Sequence, residues 1–169
     1  MPFNVDDYVN VDADTELVDF PDLSFDELSA LVEAYGRLYP ALASAAVHEL
    51  WSRAYRDVGI QERAVRIIHG IVRANRVDGD VFADALHYLY SLDRQRGQAE
   101  VVRVIATCPS YAVQRVAEAL RFDIELYRGD TAFDDAVLKT AQRLIDDCQK
   151  GHVLSDDEVW FLRNAGHSV

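Results

Sequence analysis

From Ser24 to the C-terminus, apolar residues recur at three- and four-residue spacing, in stretches separated by helix-stopping residues. That pattern confines the chain to an all-α fold. It predicts helices over 25–38, 41–57, 61–76, 81–92, 95–107, 110–127, 132–149 and 156–165. Pro40 separates the first two and Gly59 ends the second. Val77-Asp78-Gly79 reads as a turn with Asp80 as the following N-cap, and Pro109 fits a first helical turn. Gly129-Asp130-Thr131 closes one helix and caps the next, and Gly151 ends the seventh. Ser24-x-x-Glu27 and Ser155-x-x-Glu158 have the spacing of capping boxes. Val101–Ile105 is rich in β-branched residues but sits inside a helical pattern, so no strand is expected.

The expected architecture is a compact bundle of about eight short antiparallel helices, forming one domain over 24–169 behind an N-terminal arm, 1–23. The helices also group as hairpins starting near residues 25, 60, 95 and 131, a period of about 35 that suits a solenoid-like stack. The tetratricopeptide signature does not recur in those four segments, which favours the bundle. Half the residues are hydrophobic, enough for a real core. No apolar run reaches the ~18 residues of a membrane span, so no membrane partner is expected. The acidic N-terminus does not read as a secretory signal. Cys108 and Cys148 show no CxxC spacing and read as reduced thiols of a cytoplasmic protein.

Charge divides the chain. It carries 29 acids against 17 bases, a net −12. Nine of those acids fall in the first 27 residues: Asp6, Asp7, Asp12, Asp14, Glu16, Asp19, Asp22, Asp26 and Glu27. No Lys or Arg precedes Arg37. The valines, leucines and aromatics between these acids argue for an extended, partly docked arm rather than a freely solvated one.

The opposite feature is the segment 61–76. At ~100° per residue, Ala64, Val65, Ile67, Ile68, Ile71 and Val72 share one arc, and Arg63, Arg66, His69, Gly70, Arg73 and Arg76 share the other. The first arc is expected to pack on the core. The second presents guanidinium forks, which match carboxylate or phosphate bidentately. Arg53 and Arg56 on the preceding helix are expected to extend this stripe, and the acidic arm is a candidate to cover it. An alternative is an ordinary solvated face paired with acids of neighbouring helices.

Motifs for catalysis, metals and cofactors are incomplete. His48-Glu49 opens like HExxH, but Ser52 stands at the closing position. Asp12-x-Asp14-x-Glu16 starts like a calcium loop and lacks its glycine and final Glu. Asp84-x-x-His87 places a carboxylate and an imidazole on one face, with Asp134 or Asp135 as conceivable complements. No catalytic residue, metal ligand or cofactor is therefore assigned. Trp51, Tyr55, Tyr88, Tyr90, Tyr111, Phe122 and Tyr127 fall at helical spacing with aliphatics and are expected in the core. Trp160-Phe161-Leu162 lies in a helix too short to stand alone, so it must dock on the body, on a partner or on a second copy in a homodimer.

Arg63 and His69, with five residues between them, resemble the arginine–histidine spacing of HEPN-type ribonucleases, an all-helical family. The resemblance covers two residues and departs at Ala64, where a polar residue is usual. It implies RNA cleavage by Arg63 and His69 across a dimer interface. The residues as a whole read instead as a non-catalytic module: a small prokaryotic or viral accessory protein of adaptor, inhibitor or immunity type. It would bind a protein partner through Arg63, Arg66, Arg73, Arg76 and His69, with the acids from Asp6 to Asp22 as a second contact. Two alternatives keep nucleic acid in view: phosphate contacts made by the arginine helix, or a DNA-mimic inhibitor using the acidic arm.

Overall fold

The structure, a computed structural model, describes Phe20, 23–74, 79–126 and 133–168, the side chains of Phe122 and Leu126 excepted. Among the described residues there are eight α-helices and no strand. They are α1 (Phe25–Tyr35), α2 (Pro40–Arg56), α3 (Gln61–Ala74), α4 (Gly79–Leu92), α5 (Arg94–Thr107), α6 (Ser110–Leu126), α7 (Asp135–Gln149) and α8 (Asp156–Asn164). A single 3-10 turn, Val58–Ile60, joins α2 to α3.

The helices fall into two units, one ending at Asp93 and the other starting at Arg94. In the first, α2 packs on α1, α3 and α4, and α3 packs on α1 and α4. Leu28, Val32, Leu50, Ile68, Leu86 and Leu89 meet in its core. In the second, α7 packs on α5, α6 and α8, and α6 packs on α5 and α8. Val101, Val113, Leu120, Leu144, Phe161 and Leu162 form that core. Each such side chain stabilises its unit by about 1.5–3 kcal/mol through burial. Phe161 and Leu162 thus dock the last helix on its own unit.

Both capping boxes form. The Glu27 N–H donates to Ser24 Oγ at 3.3 Å, and the Ser24 N–H donates to Glu27 Oε2 at 2.7 Å. The Ser24 hydroxyl also donates to Glu27 Oε2 at 2.7 Å, and this bond, followed by the one from the Ser24 N–H, holds the Glu27 carboxyl below its ordinary value. Ser155 and Glu158 repeat the arrangement. Two other starts differ from expectation. Helix α4 begins at Gly79, which places Asp80 in its first turn rather than at the cap. Helix α7 begins after Asp134, whose Oδ1 accepts from the Ala136 and Val137 N–H groups at 3.1 Å each. That carboxylate also accepts from Arg94 and Gln98, so contacts from another helix select the cap. Pro40 lies inside α2 at its first position, where no N–H is needed.

Candidate binding surface

Helix α3 sorts its two faces as the pattern predicts. Ala64, Val65, Ile68, Ile71 and Val72 are buried, and Ile67 is half-buried. Arg63, Arg66, Gly70 and Arg73 are exposed, and His69 is half-buried. Those three arginines and Gly70 fall within an arc of about 80°, and Arg63 and Arg73 stand about 15 Å apart along the axis. Gly70 lies angularly between Arg63 and Arg66, and a Cβ added there would meet nothing within 4 Å. A partner can therefore approach the α3 backbone between guanidinium groups.

Part of this face is engaged within its own unit. Arg63 Nη2 pairs with Asp26 Oδ2 at 2.9 Å, with both side chains well exposed. Its guanidinium also lies 5.6 Å from the centroid of Phe25. An exposed pair of this kind contributes ~0–1 kcal/mol. Arg66 Nε turns back to the Glu62 carbonyl at 3.4 Å. Arg63 and His69, six positions apart, point about 120° apart around the helix. Arg76 and the arm acids Asp6, Asp7, Asp12, Asp14, Glu16, Asp19 and Asp22 lie outside the described residues.

Arg53 and Arg56 do not extend the stripe. Arg53 Nε donates to Glu49 Oε1 at 2.6 Å, and its two terminal nitrogens donate to the backbone carbonyls of Leu23 and Phe20. Phe20 itself is fully buried. Arg53 therefore anchors the chain just before α1 to the side of α2, a contact spanning 30 or more positions that no local pattern signals. Arg56 folds along its own helix, onto the Ser52 carbonyl and hydroxyl at 3.1 Å each.

The aromatic residues form a second surface that sequence periodicity misassigned to the core. Of those expected in the core, Tyr127 and the side chain of Phe122 lie outside the described residues; among the rest only Tyr90 is buried, Tyr55 is 72% and Tyr111 78% exposed, and Trp51 and Tyr88 are half-buried. Trp51 stacks on Tyr55 of its own helix with centroids 5.5 Å apart, and on Tyr88 of α4 at 5.1 Å. His48 lies edge-on to Tyr88 at 5.6 Å and shares a 2.9 Å hydrogen bond between Nδ1 and the phenol oxygen. The Trp51 indole N–H donates to Ser91 Oγ at 3.2 Å. Each ring is thus held by a neighbour. Burial, and then the charge of Asp84, push the Tyr88 phenol up to about 12. Spacing of 48, 51 and 55 places three rings on one face, but the exposed end of the stack and its fourth ring come from tertiary structure.

Among the described residues, no group of three His, Cys, Asp or Glu side chains converges to hold a metal ion. His48 and Glu49 are used by Tyr88 and Arg53, and Asp134 and Asp135 by Arg94 and Lys139. Cys108 and Cys148 are free thiols. Burial, opposed by the Arg143 charge, pushes the Cys108 thiol above its ordinary value and lowers its reactivity. No helix among the described residues is long and apolar enough to cross a membrane. Comparison with protein-family models, with curated proteins and with solved structures finds no match for the chain.

Proposed function

We propose that this protein is a non-catalytic interaction module, of adaptor, inhibitor or immunity type, whose α3 face binds an acidic surface of a protein partner. One observation supports the reading above others: the apolar side of α3 is consumed by its own unit while Arg63, Arg66 and Arg73 surround an open backbone position at Gly70. The guanidinium forks suit carboxylates. A protein partner is preferred to a nucleic acid because nucleic-acid-binding domains are generally basic, whereas this chain carries a net charge of −12. In this reading His69 and Arg76 complete the face, and the acids from Asp6 to Asp22 supply the second contact.

The test compares capture by the full chain, by the Arg66→Glu/Arg73→Glu variant and by Lys139→Glu as a charge-reversal control. Lysate is nuclease-treated first. A partner retained by wild type and by Lys139→Glu, and lost from the double variant, supports the reading. Equal retention by the double variant overturns it. Loss of all capture on nuclease treatment turns the assignment to nucleic acid.

A further inference from the structure

We propose that the Tyr55–Trp51–Tyr88 surface on α2 and α4 is a second binding site, for an arginine-bearing segment of a partner protein. The ring faces carry negative quadrupole charge, and a guanidinium stacks on such a face. Tyr55 ends the stack with most of its surface open, so the next planar group would lie on it. Asp84 supplies the second attraction. It stands one helical turn before Tyr88, near enough for its charge to act on the phenol. Among the described residues no lysine or arginine pairs with Asp84, whereas Glu49 on α2 pairs with Arg53. An uncompensated carboxylate beside a π-stack favours a cation and disfavours a phosphate.

The site is also pre-organised. Ser91 fixes the indole, His48 fixes the phenol, and the rings lie within 25–29° of parallel before any ligand arrives. Little ordering entropy remains to oppose binding. The same chemistry operates inside the second unit, where the Arg121 guanidinium lies 4.7 Å from the Trp160 centroid.

The two tryptophans, Trp51 and Trp160, allow a direct test. Their indole N–H resonances in the full-length protein are assigned with Trp160→Phe and followed during titration with octaarginine, octalysine and oligouridylate. Octaarginine is expected to shift the Trp51 resonance more strongly than octalysine, and to leave that of Trp160 in place. Tyr55→Ala, at a mostly exposed position, should weaken this binding about fivefold, the scale of one cation–π contact. Asp84→Asn should weaken it about threefold by removing a nearby charge. Four outcomes overturn the proposal. They are an unmoved Trp51 resonance, full binding by Tyr55→Ala, a larger Trp51 shift with oligouridylate, and a Trp51 shift that follows protein concentration alone, which would assign the surface to a second copy.

Discussion

Arg143 on α7 donates from Nη2 to the Cys108 carbonyl oxygen at 2.9 Å, just beyond the end of α5. The same guanidinium donates to the Ile105 carbonyl and, through Nε, to Asp147 Oδ2 at 2.7 Å. One side chain therefore satisfies the C-terminal carbonyls of a neighbouring helix and a carboxylate that is only 4% exposed.

Removing that guanidinium leaves Asp147 buried with its main partner gone. Arg143→Ala should destabilise the second unit by about 3 kcal/mol, within the range for breaking a buried pair. Urea unfolding followed by Trp160 emission measures it. Arg143→Lys should rescue only part of the loss, because a lysine cannot reach the two carbonyls and the carboxylate together.

The same contact sets a pH dependence. Burial pushes the Asp147 carboxyl up, but the hydrogen bonds from Arg143 and Ser110, with the charges of Arg143 and Lys150, bring it below its ordinary 3.8. A carboxylate with a depressed folded value stabilises the fold above the unfolded value and loses that contribution as pH falls through the folded one. Asp147→Asn should therefore cost about 2 kcal/mol at pH 7, the scale of hydrogen bonds to a charged group. The difference from wild type should shrink as pH drops below 3.8.

Asp123 carries the opposite sign. Burial raises its carboxyl above 3.8, and the Arg94 guanidinium, 3.7 Å away, offsets this only in part. Its ionised form costs stability at neutral pH and its protonated form does not. Asp123→Asn should raise the melting temperature at pH 7, with the gain vanishing below the ordinary value of 3.8.

Tyr88 makes the aromatic stack sensitive at the alkaline end. With its phenol raised from 10.0 to about 12, the fold favours the neutral form. That stabilisation is complete below pH 10 and is lost as pH rises toward 12. Ultraviolet titration should show tyrosine ionisation near 12, and Tyr88→Phe should reduce its amplitude by one tyrosine.

Gly70 tests whether the α3 face is kept for contact. An exposed glycine inside a helix costs about 0.5–1 kcal/mol relative to alanine, and the site is open enough to take a methyl group. Gly70→Ala should stabilise the protein by that amount in thermal unfolding while reducing partner capture.

Local order was the part of this fold most open to reading in the chain. Ser24 with Glu27, and Ser155 with Glu158, mark their helices because a cap reaches only three residues. The α3 faces were equally legible, since a period of 3.6 residues separates them. What failed needed partners distant in sequence. Asp134, not Thr131, caps α7 because Arg94 and Gln98 hold its carboxylate. Arg53 left the expected stripe for carbonyls 30 and 33 positions earlier. Helical spacing predicts Trp51 and Tyr55 in the core, but burial of a face depends on which helix covers it, and Tyr55 is left 72% exposed.

The glycines after α7 and α8 have backbone φ of +98° and +88°, and each closes its helix by the same pair of returning amide bonds. The join between the two units is built differently. A single residue, Asp93, separates the end of α4 from the start of α5, and its own N–H still bonds to the Leu89 carbonyl at 2.8 Å. A protease needs an exposed loop to nick a folded chain, and this join offers none. Limited digestion should therefore spare the bond after Asp93, and the halves must be separated by expressing each from its own gene segment rather than by cutting the intact protein.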